Sequence, residues 1–167
     1  MKRVYLDTSA FFKIFFSGEE ASQVVERIVS LADDNKIQIV ISEWVVNEVL
    51  AAIEKKVQKR KASNEDAHDT IFAMANFLED RYPRRTVVSY AINEDVVINS
   101  RRVIESLHLS SAADALHVLI ANRARCTYFI SADKELNASI TVNRLGITPI
   151  DVHEPNDTNK FFDEVKQ

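Results

Sequence analysis

Hydrophobic residues fall along this chain in two rhythms. Five short segments rich in Val, Ile, Tyr and Phe have the composition of buried strands: Arg3–Leu6, Ile37–Ile41, Thr86–Ser89, Thr127–Ile130 and Ile147–Ile150. The longer stretches between them are poor in Gly and Pro and repeat apolar residues every three to four positions, as amphipathic helices do. They predict helices over Asp7–Phe16, Glu19–Asp34, Glu43–Lys61, Asn64–Arg81 (stopping before Pro83), Glu94–Leu107, Ser111–Arg123 and Asp133–Leu145. Gly146 follows the last of these, where a left-handed residue closes a helix. Strands alternating with helices require crossover connections. The expected fold is therefore α/β, a central parallel sheet of about five strands flanked by helices, in a single domain over residues 1–152. Residues 153–167 are polar and broken by Pro155, and are expected to form a loose surface tail with Phe161 and Phe162 as a docking point.

Charge and composition narrow the chemistry. The chain of 167 residues carries 21 Lys and Arg against 25 Asp and Glu, a net charge of −4, so any nucleic-acid surface has to be local. Uncharged runs are short, eight residues at Thr86–Asn93 and nine at Thr70–Leu78, whereas a bilayer span needs about 20. The amino-terminal apolar stretch contains Asp7 and Lys13 and shows no small-residue cleavage pattern, so a cytoplasmic location without a membrane partner is expected. The two glycines, Gly18 and Gly146, lie too far apart for a phosphate-cradling loop. The single cysteine, Cys126, excludes an internal disulfide and a CxxC zinc site, and reads as a small buried hydrophobe. His68, His108, His117 and His153 have no HExxH spacing, so a bound metal would have oxygen ligands.

Four carboxylates fall where an open α/β sheet gathers function, at the carboxyl ends of its strands. Asp7 ends the first strand, Asp133 follows the fourth, Glu48 lies on the helix leaving the second, and Asp114 sits in the first turn of a late helix. Taken singly, Asp7 and Asp133 are also good helix caps, and Ser111 with Asp114 has capping-box spacing. Glu48 resists that explanation. Its i+3 and i+4 neighbours are Ala51 and Ala52, and it shares a face with Trp44, Val45 and Val49, where a charge needs a partner. Four acids on one edge would repel one another, and a hard divalent cation, Mg²⁺ or Mn²⁺, removes that penalty. Such a site suits phosphodiester hydrolysis without a histidine base.

The segments DTSAFFK, SEWVVNEV, SAADALHVLIA and FISADKEL, in this order and strand context, resemble the four acidic motifs of the PIN-domain nucleases. Gly146-Ile147-Thr148-Pro149-Ile150 fits that family's last strand, so the resemblance spans about residues 2–152. It implies Asp7, Glu48, Asp114 and Asp133 as a metal-binding catalytic set, with Ser131 at the family's hydroxyl position two residues before the last aspartate. The compact form looks most like the VapC-type toxin ribonucleases of toxin–antitoxin pairs. That implies an Mg²⁺- or Mn²⁺-dependent endoribonuclease, an RNA substrate, an antitoxin protein partner and a homodimer. Two features depart from the pattern: Glu135-Leu136 replaces the usual acidic-Phe pair, and Glu54–Arg85 is longer and more charged than a minimal member needs. A housekeeping RNA-processing nuclease and an inactive RNA- or protein-binding scaffold are the alternative readings. An aspartate-nucleophile phosphohydrolase of the haloacid dehalogenase type would need a second Asp where Ser9 stands.

Other residues have two readings each. Lys55, Lys56, Lys59, Arg60 and Lys61 either complement a helix dipole at a solvated end or form a phosphate-contact ridge, with Arg81, Arg84, Arg85, Arg101 and Arg102 in support. Phe11, Phe12, Phe15 and Phe16 make two i,i+4 pairs, more aromatic surface than one buried face uses, which points to a partner as well as to the core. Thr8 and Ser9 are helix-start residues that could also touch a substrate phosphate. His117, one turn after Asp114, reads first as a packed core histidine.

Overall fold

The computed structural model describes residues 1–16, 20–107, 109, 111–142 and 145–166. Glu19, the expected start of the second helix, lies outside the described residues, as do Gly18, His108, Asn143 and Arg144. Five parallel strands, β1 (Lys2–Leu6), β2 (Ile37–Ser42), β3 (Val87–Tyr90), β4 (Tyr128–Ser131) and β5 (Thr148–Asp151), form one sheet in the order β3-β2-β1-β4-β5. Each strand lies within one residue of its expected bounds. All six residues of β2 are buried, as are Val4, Tyr5 and Leu6 of β1 and all of β4, which is why these segments read as continuous apolar runs. The chain builds outward from β1 through β2 to β3, then returns to the other side of β1 for β4 and β5. The carboxyl ends of β1 and β4 therefore flank the topological switch point, the crevice where α/β sheets hold their ligands.

Eight helices among the described residues connect and cover the strands: α1 (Thr8–Phe12), α2 (Ser22–Asp33), α3 (Glu43–Gln58), α4 (Asn64–Arg84), α5 (Glu94–Leu107), α6 (Ala112–Arg123), α7 (Lys134–Val142) and α8 (Pro155–Val165). The first is shorter than its aromatic periodicity predicts. After Phe12 the backbone tightens into i→i+3 bonds, from Lys13 N to Ala10 O, Ile14 N to Phe11 O and Phe15 N to Phe12 O, each at 3.1 Å. The fourth runs past its expected stop, with Pro83 in its last turn, where the missing N–H removes a single helical bond. Gly146 has the expected left-handed backbone, at φ 72°. No helix among the described residues is long and apolar enough to cross a membrane.

The expected loose tail is instead a helix. Pro155 sits at the start of α8, where a proline costs nothing and pre-sets φ. Thr158, Phe161, Phe162 and Val165 then form a buried i, i+3, i+4, i+7 stripe. Phe161 meets Tyr128 edge-on at 5.0 Å, the Arg27 guanidinium lies 3.8 Å from the Phe162 ring centroid, and Tyr128 Oη donates to Glu164 at 2.6 Å.

Candidate active site

Asp7 is the first residue beyond β1, and its side chain does two jobs. As the N-cap of α1 its Oδ1 accepts the Ala10 N–H at 2.9 Å. It also receives two serine hydroxyls, Ser9 at 2.8 Å on Oδ1 and Ser131, at the end of β4, at 2.7 Å on Oδ2. Each serine in turn accepts a backbone N–H from the turn after β4: Ala132 N reaches Ser9 Oγ at 2.8 Å and Asp133 N reaches Ser131 Oγ at 2.9 Å. Two backbone dipoles of the β4–α7 turn are thus relayed through hydroxyls onto one carboxylate. Only 5% of Asp7 is exposed, and burial pushes its carboxyl above the ordinary value; His117 and the Ser131, Ala10 and Ser9 donors only partly offset this.

Glu48 follows one and a half turns into α3, which Ser42 caps through the Val45 N–H at 3.2 Å. Its Oε2 accepts both the Thr8 hydroxyl and a hydrogen bond from His117 Nε2, the latter at 2.8 Å. Burial alone would raise this carboxyl, but the His117 and Thr8 bonds outweigh it and hold Glu48 below the ordinary glutamate value. His117 is indeed a buried core histidine, and it is also a partner of the site. Its other ring nitrogen lies 2.8 Å from the Tyr5 hydroxyl, whose pKa burial drives well above the usual phenol value. Sequence reasoning missed Tyr5 altogether; the available signal was its place two residues before Asp7, on the same face of the strand.

The remaining two acids occupy helix starts. Asp114, half-buried in the first turn of α6, donates its N–H to Ser111 Oγ at 3.1 Å, the Ser111 side of the expected capping box. Asp133 is exposed, and its Oδ1 caps α7 by accepting from Glu135 N at 2.9 Å and Leu136 N at 3.0 Å. The fold thus ties Asp7 to the Ser131–Asp133 turn and Glu48 to α6. Among the described residues no three His, Cys, Asp or Glu side chains gather closely enough to hold a metal. This arrangement still fits Mg²⁺, which keeps several waters and takes only one or two carboxylates. Asp7 is a desolvated carboxyl whose ionisation a cation would favour, and every candidate donor is a hard oxygen.

The basic segment occupies the last turn of α3 and the residues that follow it. Lys56 Nζ sits 4.3 Å from the Phe16 ring centroid and 5.0 Å from that of Phe12, and these two rings stack at 4.2 Å. Phe12, Ala52, Lys55, Lys56, Lys59 and Lys61 line a shallow cavity of about 330 Å³. The other aromatic pair is spent on the core, with Phe11 and Phe15 both edge-on to Phe77 of α4. Arg81 and Arg84 do not extend the ridge, because both pair with Asp33 and Asp80.

The PIN-domain family model matches residues 4–125, nearly three-quarters of the chain. The chain belongs to the PIN-domain family. No curated protein matches this PIN domain in sequence. Its fold is similar to that of PAE2754 from Pyrobaculum aerophilum, with 12% identity, a TM-score of 0.63, and 99% of this chain and 90% of that one covered. It is also similar to VapC20 from Mycobacterium tuberculosis, a sarcin–ricin-loop-cleaving toxin, with 14% identity, a TM-score of 0.55, and 81% and 94% covered. VapBC2 from Rickettsia felis, solved bound to a DNA fragment from its promoter, matches at 14% identity and a TM-score of 0.58, with 88% and 96% covered. At these identities the likeness is one of fold.

Proposed function

We propose that this PIN domain is a divalent-metal-dependent endoribonuclease, the toxin of a toxin–antitoxin pair. The observation that carries the reading is Asp7: a buried carboxyl at the switch point, held by three donors from two elements, with its ionisation opposed by burial. Asp7, Glu48, Asp114 and Asp133 are the residues to hold Mg²⁺ or Mn²⁺. When bound, the cation supplies a hydroxide nucleophile and stabilises charge on the phosphate. The chain's own contribution is orientation. Ser9 and Ser131 fix the Asp7 carboxylate, Thr8 and His117 fix that of Glu48, and the α7 start sets Asp133 at the rim. Cleavage of single-stranded or looped RNA is expected to leave a 5′-phosphate and a 3′-hydroxyl. Full activity in EDTA, or in the Asp7→Asn variant, would sink this reading.

The lysine ridge serves the same substrate by contacting phosphates beside the scissile bond. Reversing Lys55, Lys59 and Lys61 to Glu should weaken RNA binding and flatten its dependence on salt, since each lost phosphate contact lowers the log–log slope by roughly 0.9 or less. An unchanged slope would make the ridge a solvated helix end. The toxin assignment rests on the fold shared with VapC20 and VapBC2 and on apolar surface left open: Phe72 is 63% exposed on α4, and Val97 and Ile98 are 55% and 60% exposed on α5. An antitoxin helix laid along α3 and α4, and a second copy of the chain against α5, would cover it. Light scattering showing a strict monomer at high micromolar concentration would rule out the dimer.

A further inference from the structure

A second cavity opens along β3, an edge strand of the sheet. It holds about 480 Å³, within the size range of small-ligand sites, and Arg3, Gln38, Tyr82, Arg85, Ser89 and Tyr90 contribute to its wall. The lining contains two guanidinium groups and no carboxylate. Arg3 precedes Asp7 by four residues, about 13 Å along an extended strand, so this cavity is separate from the acidic edge.

Arg3 is half-buried, and neutral acceptors fix its guanidinium. Nε donates to Gln38 Oε1 at 2.9 Å, and Nη1 donates to the Ala124 carbonyl at 2.9 Å and to the Tyr90 hydroxyl at 3.3 Å. Those bonds use three of its five hydrogens and leave the two on Nη2. Gln38, itself 7% exposed, donates from Nε2 to the Arg85 carbonyl at 2.9 Å, so one buried amide orders both arginine-bearing segments. The charge is unanswered. Arg81, Arg84, Arg101 and Arg123 each meet an Asp or Glu, whereas Arg3 and Arg85 make no ion pair among the described residues. The Cys126 thiol lies in the field of Arg3, but burial pushes it up to about 12, so it stays neutral. A half-buried cation held only by neutral groups gains from an anion. Tyr82, 37% exposed, and half-buried Tyr90 add phenol rings, flat surfaces on which a base can stack.

We propose that this cavity binds a nucleotide, with its phosphate on the Arg3 and Arg85 guanidinium groups and its base against the Tyr82 ring. The ligand is a free mononucleotide or one unit of an RNA strand, and the recognition chemistry is the same for both. Phosphate takes the Nη2 edge of Arg3 and leaves its three existing bonds in place. A peptide carboxylate would use the guanidinium groups but leave the rings idle. The site stands apart from the nuclease reading, because binding needs neither metal nor cleavage.

¹H–¹⁵N spectra of the protein in EDTA, titrated with adenosine 5′-monophosphate, test this residue by residue. The Arg3 Nε–H and the amides of Ser89 and Tyr90 should shift and saturate, whereas adenosine and inorganic phosphate should each bind about tenfold more weakly or worse. Arg85→Gly removes one guanidinium and suits the left-handed backbone at φ 57°. It should hold the melting temperature and weaken binding of the monophosphate by about tenfold. Tyr82→Leu should weaken the nucleotide and spare inorganic phosphate. Competition with a short single-stranded RNA lacking terminal phosphates identifies the source: displacement at these signals assigns the site to an RNA strand, and its absence to a free nucleotide. Shifts confined to the Asp7 edge or the lysine ridge, equal binding of adenosine and its monophosphate, or unchanged affinity in Arg85→Gly would overturn the site. So would an acidic peptide that moves these signals when the nucleotide does not. RNA that binds here yet stays uncut once Mg²⁺ or Mn²⁺ is added would defeat the nuclease reading and leave this site standing.

Discussion

Asp7 and Glu48 are held by side chains from distant parts of the sequence, whereas Asp133, a few residues beyond β4, stands exposed and satisfies two amides of its own helix. Asp7 draws its donors from α1 and β4, and Glu48 from Thr8 and α6. The first pair has little freedom to reorient. Asp133 depends instead on local helix-start geometry that any α/β protein could show. One edge of the sheet thus combines a preorganised half with an open half, which suits a site that must admit a large polymeric substrate. Preorganisation is the part that requires the tertiary fold.

Substituting within each half should separate them most sharply. Asp7→Asn keeps the cap and the volume but removes the charge, and should lower kcat by about three decades, the equivalent of several kcal/mol of transition-state stabilisation. Asp133→Asn should lower it by about one to two decades under the same assay. If Asp133→Asn proved the more damaging, the open half would hold the essential ligand. Ser131 joins the halves, donating to Asp7 Oδ2 while accepting from Asp133 N. Ser131→Ala leaves both without that partner. The expected loss is about tenfold in kcat, with about 1–3 kcal/mol of stability, measured by single-turnover cleavage and urea denaturation.

Acid titration should set Asp7 against its neighbour Glu48. Asp7 has a folded-state pKa raised from 3.8 by burial, so its stabilising protonated form is fully present below 3.8 and is lost as pH rises through the raised value. Glu48 has a pKa lowered from 4.5, so its contribution is present above 4.5 and is lost as pH falls through the lowered value. In metal-free protein, the melting temperature of Asp7→Asn relative to the unaltered chain should therefore rise between about pH 4 and about pH 7, and that of Glu48→Gln should fall. Parallel curves for the two variants would mean that the two acids share one environment.

Much of this was readable in the sequence, and the reasons for the rest are physical. The five strands were legible because buried parallel strands are short apolar runs with no competing periodicity. The places of Asp7 and Asp133 were legible because the ends of strands and the starts of helices mark the carboxyl edge. Helix ends were harder. With only two glycines, the chain closes helices with Asn35, Arg60, Arg85 and Arg125 in left-handed conformations, at φ 57°, 54°, 57° and 54°. Around three of these the backbone makes the six-to-one closure that usually marks a glycine, as in Lys61 N to Lys56 O at 2.9 Å, so α3 stops at Gln58 although its pattern runs on to Lys61. Pro155 was read as a breaker when it was a start. The partners of Glu48 were the least legible: His117 lies 69 positions away in sequence, and Tyr5 lies 112 positions from His117. Only the sheet order brings them together.

The smallest effect concerns whether Asp133 is a cap, a ligand or both. Its Oδ1 already accepts from Glu135 N and Leu136 N, the two amides that an N-cap satisfies. An asparagine supplies the same oxygen, so Asp133→Asn should leave stability unchanged to within about 0.5 kcal/mol. An alanine supplies none, and Asp133→Ala should cost about 1 kcal/mol by urea denaturation in EDTA. The two variants should nevertheless lose the same amount of metal-dependent activity, because neither carries the charge. That combination, different stabilities with equal activities, is what a carboxylate with a structural oxygen and a functional charge must give. If the alanine variant were as stable as the asparagine variant, the observed cap would contribute nothing. If the asparagine variant kept full activity, the charge at the open half would be dispensable and the preorganised half would suffice.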